Sequence, residues 1–458
     1  MKIVFLWPFN EYYAPSVTFI QRAKLAEKAG HDVKIIFSNL LFSKNNLGLP
    51  QDIVNNPQYY FKKVFEEVEK QKPGLLYIET FDHWVSHLSF ALKFAMEYKK
   101  KQKQIITIGG FVPTFMPERL LKLSSDIDYI LRGNSERTVL NFVSALEGGN
   151  PEKAPAVSFK KKGRLIHNNE ENTCINLDDI PFIDYENVLG NTPERIDIRT
   201  SKGCNMQCSF CSLHEFHKRP VRYNSKDYVK NQILHLKKLY TPKYIHIEDE
   251  MFLSKINRAI GISQVIRNNF PEIGWGAMIR NDLITEEILQ TLSKNNFTNT
   301  AVGIESNNPK ILKFLNKTYN TAQYIKKIEK NIELLARYVK NVEIGLIIGA
   351  PVEDERDIID MVDFVKQIKS KKYNNLRIAL GKLMVYPGTN LWKRYENEEF
   401  SMKKIEASNT LERYFEKEYE ELQWVVPRRY EIINPNFPCQ NTYNELLNLT
   451  IKEANKNC

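Results

Sequence analysis

Residues 199–212 read Arg-Thr-Ser-Lys-Gly-Cys-Asn-Met-Gln-Cys-Ser-Phe-Cys-Ser, which spaces Cys204, Cys208 and Cys211 as C-x3-C-x2-C. The chain has 6 cysteines in 458 residues, so half of its thiols lie in this one loop. Soft thiolates at such density suit zinc or an iron-sulfur centre. A structural zinc site closes with four protein ligands, whereas a reactive metal centre keeps one position open. Three cysteines therefore point to an open cluster, and a zinc knuckle completed by His214 or His217 is the plainer alternative.

Outward from this loop the chain alternates strands and helices. Leading into it, Arg195–Arg199 reads as a strand, and downstream Ser225–Lys238 reads as a helix with Ser225 as its N-cap. Further strands end at functional-looking loops: Tyr244–Glu248 before Asp249 and Glu250, Gly274–Met278 before Arg280, and Asn299–Ile304 before Glu305. Val342–Ile348 runs into Gly349-Ala-Pro-Val-Glu353, and Arg377–Met384 into Tyr386-Pro-Gly-Thr389. Six strand-helix units over residues 191–391 predict a partial α/β barrel whose site lies at the carboxyl ends of its strands. Upstream, residues 1–150 alternate strands at 2–6, 32–37, 74–79, 104–108 and 128–131 with helices, which predicts an α/β doubly wound, Rossmann-like domain. Residues 151–190, with Glu170-Glu-Asn and Pro181, read as a linker. Residues 392–458 read as a small, mostly helical extension that shapes the substrate pocket, with an amphipathic helix over Glu406–Leu422 and a tail carrying Trp424, Arg428, Arg429, Tyr430 and Cys439.

A chain of this length exceeds what one core usually supports, so at least two domains are expected. No apolar run reaches the length of a membrane span, and the first eight residues read as a strand rather than a signal peptide. Cys174, Cys439 and Cys458 read as ordinary thiols, and a thiolate-held metal centre favours a reducing compartment, hence the cytoplasm. The net charge of +10 comes from 65 basic against 55 acidic residues spread along the whole chain, so it marks no nucleic-acid footprint. The densest basic run, Lys99-Lys-Lys-Gln-Lys103, suits a solvated helix end.

The C-x3-C-x-aromatic-C spacing, with Phe210 as the aromatic, resembles the signature of the radical S-adenosylmethionine (SAM) enzymes. The resemblance implies that the three cysteines bind three irons of a 4Fe-4S cluster while the fourth iron chelates the amino and carboxylate groups of SAM, which is cleaved to a 5'-deoxyadenosyl radical. It further implies SAM contacts from Glu248, Asp249 and Glu250 to the amino group, from Arg280 to the carboxylate, from Glu305 to the ribose, and from Gly349 near the adenine. Each has a structural alternative: a solvated or capping acid, an Arg280–Asp282 pair, a Glu305–Lys317 pair, and a plain turn.

In the amino-terminal part, Ala29-Gly-His-Asp-Val33, Lys72-Pro-Gly-Leu-Leu76, Ile106-Thr-Ile-Gly-Gly110 and the segment 128–138 resemble the cobalamin-binding domain that precedes the barrel in one radical SAM subclass. That resemblance implies cobalamin contacts at Glu79, Thr80, Gly109 and Gly110. The Asp-x-His-x-x-Gly string of many cobalamin domains is absent, although Asp82 and His83 are adjacent and His31 precedes Asp32. Ile78-Glu-Thr80 stands where a typical domain carries Ser-x-Leu or Ser-x-Thr. Together the two resemblances imply a cobalamin-dependent radical SAM enzyme that methylates an unactivated carbon of a small-molecule or peptide substrate, with an electron donor such as flavodoxin or ferredoxin. The alternatives are a subclass member that cyclises or rearranges its substrate, a methylthiotransferase acting on RNA, and a non-catalytic zinc-binding module. A methylthiotransferase needs further cluster cysteines in its first domain, and residues 1–173 contain none. No individual residue is singled out as catalytic.

Overall fold

Five strands, β1 (Lys2–Trp7), β2 (Asp32–Phe37), β3 (Leu75–Glu79), β4 (Ile105–Gly109) and β5 (Tyr129–Leu131), lie parallel in the order 2-1-3-4-5. The computed structural model describes residues 1–8, 16–43, 49–80, 85–133, 136–170, 175–185, 194–218, 220–404, 414, 430–436 and 440–455. It divides into one unit of residues 1–193, 235–241 and 404–429 and a second of residues 194–234, 242–403 and 430–458.

In the first unit β1 and β3 are apolar and buried along almost their whole length, as parallel strands covered by helices on both faces must be. The order reverses between β1 and β3, the kind of switch point at which doubly wound sheets open a ligand crevice. Ser16 caps the helix Val17–Lys28, and Asn56 with Pro57 at the first turn starts the helix Pro57–Gln71. The latter packs on the helix Val85–Lys101 through rings, with Phe65 on Phe94 at 5.4 Å and on Tyr98 at 5.6 Å. Such ring pairs add about 0.5–1.5 kcal/mol each beyond their buried area.

The stretch expected as a linker differs. Residues 157–167 form an antiparallel hairpin, β6 (Val157–Lys161) and β7 (Arg164–His167), that extends the same sheet past β5. Its turn, Lys161-Lys-Gly-Arg164, is charged because it faces water, while Val157, Ser158 and Phe159 are buried.

In the second unit β8 (Arg195–Ile198) is followed by a two-stranded ribbon of β9 (Ser201–Lys202) and β10 (Arg222–Tyr223). Then β11 (Tyr244–Ile247), β12 (Gly274–Arg280), β13 (Phe297–Glu305), β14 (Asn341–Ile348) and β15 (Leu376–Lys382) line up beside β8 in one parallel sheet of order 15-14-13-12-11-8. This is the expected six-stranded open barrel. Helices alternate with the strands, and side chains at their first turns close most of them: Thr285, Asn308, Asn320 and the Asp354–Asp357 capping box. Ser225 accepts from the N–H of Tyr228 as the predicted cap.

The segment after residue 392 is not purely helical: β16 (Ser401–Lys404) pairs with β17 (Tyr430–Ile433). The helix Gln440–Asn455 packs on β15, where the Asn455 amide accepts from the N–H of Leu380 at 3.1 Å and donates to its carbonyl at 3.3 Å. The helix expected over 406–422, together with Trp424, Arg428, Arg429 and Cys439, lies outside the described residues apart from Tyr414. Among the described residues no helix is long and apolar enough to cross a membrane.

Candidate functional site

The ribbon of β9 and β10 pinches the chain between them into an excursion at the carboxyl end of β8, and the three cysteines lie on it. Gly203 begins the excursion at φ +104°, a backbone that favours glycine. The loop is then pinned from two sides. The Ser209 N–H donates to the Leu315 carbonyl at 2.8 Å, and Asn316 Nδ2 donates to the Gln207 carbonyl at 2.7 Å. On the other side the Leu391 N–H donates to the Ser209 carbonyl at 2.9 Å, next to the Tyr386–Thr389 turn. Cys204, Cys208 and Cys211 are unbridged and half-buried. Burial pushes the Cys211 thiol up to about 12 and raises Cys204 as well, so nearby metal cations are what would hold these sulfurs as thiolates. Among the described residues no three Cys, His, Asp or Glu side chains converge to hold one metal ion. A cavity of about 620 Å³ opens beside Cys208 and Cys211, walled by Lys310, Lys313, Phe314 and Arg394.

The acids after β11 divide by direction. Asp249 turns inward, and its carboxylate accepts from both the N–H and Oγ of Thr200 and of Ser201, at 2.6–2.8 Å. It is fully buried beside Arg258. This carboxylate is consumed in fastening the base of the cysteine loop, so the expected contact to a SAM amino group does not fit Asp249. Glu250 is buried between Arg199, His217 Nε2 at 3.2 Å and the Gly203 N–H at 3.1 Å. Burial alone would raise its carboxyl, but Arg199 and His217 hold it well below the usual carboxylate range. Glu248 has a looser tie, 3.5 Å to Arg199, and keeps about a quarter of its side chain exposed.

Arg280, at the end of β12, donates from Nε and Nη2 to the two Asp282 oxygens at 3.0 and 2.9 Å. Nη2 also donates to the Lys317 carbonyl at 2.6 Å, and Nη1 meets Cys208 Sγ at 3.4 Å. The edge that would grip a SAM carboxylate is thus occupied by Asp282. Glu305 sits at φ +69° and pairs with buried Lys317 at 2.9 Å. Gly349, at φ +98°, donates its N–H to Glu353 at 2.7 Å, and burial drives the Glu353 carboxyl up to about 8.

In the first unit, the Glu79 carboxylate is buried on Arg22 at 2.6 Å and on the Tyr77 hydroxyl at 2.8 Å. Thr80 closes onto the Gly109 carbonyl through both its N–H and Oγ1, each at 2.8 Å. A Cβ on Gly109 would lie 2.3 Å from Tyr77 Oη, so Tyr77 already explains this glycine. Gly110, at φ +124° and ψ −168°, opens the short helix Phe111–Phe115 in a conformation that belongs to glycine. Asp82 and His83 lie outside the described residues.

Sequence reasoning did not single out Arg22, Tyr77, Arg199 or Arg258, which hold these acids in place, and it named His217, which bonds Glu250, only as a candidate zinc ligand. The only sequence signal was that strand-end acids require cations, with no indication of which ones.

Residues 198–365 match the model of the radical SAM superfamily. The chain is 27% identical over 371 residues to an uncharacterized methyltransferase of Pyrococcus horikoshii, covering 79% of this chain and 74% of that one. It is 22% identical over 363 residues to the ribosomal protein uS12 methylthiotransferase RimO of Clostridium novyi, covering 76% and 72% respectively. Its fold is similar to that of the radical SAM methyltransferase TsrM from Kitasatospora setae, solved with cobalamin and a [4Fe-4S] cluster, with a TM-score of 0.70, 13% identity, and coverage of 98% of this chain and 89% of that one. The cysteine loop at the carboxyl end of the first barrel strand thus lies within the stretch that matches the radical SAM superfamily.

Proposed function

We propose that the chain is a cobalamin-dependent radical SAM enzyme that methylates an unactivated carbon of a small-molecule or peptide substrate, acting in the cytoplasm with a flavodoxin- or ferredoxin-type electron donor. The observation that carries this reading is the likeness to TsrM along 98% of the chain, since that methyltransferase was solved with both cofactors. The donor set fits the cluster: three unbridged thiols on one pinned loop. When bound, the cluster supplies the electron that cleaves SAM, and cobalamin supplies a methyl carrier.

In this reading Cys204, Cys208 and Cys211 hold the cluster, while Asp249 and Glu250 fix the loop that carries them. Glu248 is the strand-end acid proposed to meet the SAM amino group, Glu305 is the carboxylate for the ribose, and the Gly349 turn lies beside the adenine. For cobalamin, Thr80 and Gly109 are engaged by protein groups, and Glu79 is tied to Arg22 and Tyr77 through one carboxylate oxygen. Gly110 and the carboxyl edge of the parallel sheet remain as the surface for it.

The methylthiotransferase relatives favour a second reading, against which stands the lack of any cysteine in residues 1–173. The test is metal analysis of protein produced anaerobically with cobalamin and reconstituted with iron and sulfide. About one cobalt and four irons per chain, with methyl transfer from labelled SAM, is the expected result. Iron without cobalt would remove the methylation reading, and zinc alone would remove the cluster.

A further inference from the structure

We infer that Arg280 is a positioning residue that tunes the reduction of the metal centre through Cys208, and that it does not anchor SAM. This rests on the three cysteines being cluster ligands. The geometry assigns every nitrogen of the guanidinium. Nε and Nη2 form a two-point fork on Asp282, Nη2 is shared with the Lys317 carbonyl, and Nη1 is aimed at Cys208 Sγ at 3.4 Å. A planar guanidinium gripped on one edge cannot swing, so its remaining nitrogen is held on the sulfur. The grip is itself supported: Lys317 is buried and tied through Nζ to Glu305 at 2.9 Å, and its N–H donates to the Leu312 carbonyl at 3.0 Å. Arg280 is 9% exposed, so water does little to screen its charge from Cys208.

Reduction adds one electron from a low-potential one-electron donor and no proton, which increases the negative charge on the cluster and its sulfurs. A fixed cation that donates a hydrogen bond to a ligating sulfur stabilises that added charge more than the oxidised state. Hydrogen bonds to sulfur are among the terms that set cluster potentials. The arrangement also explains why an arginine stands here. A lysine has no fork with which to hold Asp282 on one side and Cys208 on the other.

The test is a redox titration of the reconstituted cluster, followed by electron paramagnetic resonance, in wild type, R280M and R280M/D282N. The double variant removes Arg280 and its counter-charge together, so any change it shows comes from the contact with Cys208 and not from an orphaned Asp282. R280K, which keeps a cation of similar reach, is titrated alongside as the best-tolerated change. At the potential where the wild-type cluster is half reduced, the ratio of reduced to oxidised cluster is expected to fall about tenfold in R280M/D282N, equivalent to about 59 mV for one electron. A smaller fall in the same direction is expected in R280K, with SAM affinity in both variants within about threefold of wild type. Wild-type ratios in R280K and R280M/D282N with full iron content would overturn the inference, and so would a loss of SAM affinity at unchanged potential. A wild-type protein that takes up no iron would instead overturn the cluster reading beneath it.

Discussion

Asp249 reaches from the end of one barrel strand to Thr200 beside the next, where the Thr200 N–H and hydroxyl donate to its two carboxylate oxygens at 2.7 and 2.6 Å. The loop that carries the cysteines therefore starts from a rigid base. D249N keeps the shape but turns one acceptor into a donor facing Thr200 and Ser201 hydroxyls and leaves Arg258 without a buried counter-charge. A loss of about 2–4 kcal/mol in urea denaturation is expected, together with weaker iron retention.

Replacing Cys204, Cys208 or Cys211 singly by alanine should lower iron after anaerobic reconstitution from about four per chain to below about one, and abolish the visible absorption of the cluster. Alanine at Cys174, Cys439 or Cys458 should leave both unchanged. Iron analysis against protein concentration decides between the two sets.

Glu353 gives stability a pH dependence. Its carboxyl titrates near 8 in the folded chain, above the ordinary value of 4.5, because burial disfavours the charge. The folded state thus keeps a proton that the unfolded chain gives up between these values. The stabilisation is whole below about 4.5, declines as pH climbs, and is lost once pH passes about 8. E353Q should flatten this slope and exceed wild type by about 1–3 kcal/mol in denaturation at pH about 9.

In the first unit, the Arg22–Glu79 pair is almost fully buried. R22M alone should cost about 3–5 kcal/mol by orphaning Glu79, while R22M/E79M should recover most of that loss. Chemical denaturation of the two variants measures the difference directly.

The alternation of elements was legible because their apolar runs are long. Asp32–Phe37 has the same bounds in sequence and structure. The hairpin over 157–167 was not legible, because its strands are short and half of them face water. The cysteine loop announced itself through spacing alone. What the sequence withheld was direction: Glu248, Asp249 and Glu250 are adjacent carboxylates, and only the fold turns the last two onto Thr200, Arg199 and His217. Arg22 was hidden for a related reason. An arginine on an amphipathic helix normally faces water, and here Glu79 draws it inward.

The Asn455 side chain, bonded to both the N–H and the carbonyl of Leu380, does for the last barrel strand what a seventh strand would do. One carboxamide imitates a peptide group and occupies a rung of an edge that would otherwise invite a second chain to pair along it. The helix Gln440–Asn455 is in this sense a guard against self-association, and a chain ending before it would keep all three cysteines of the loop yet be prone to assemble edge to edge.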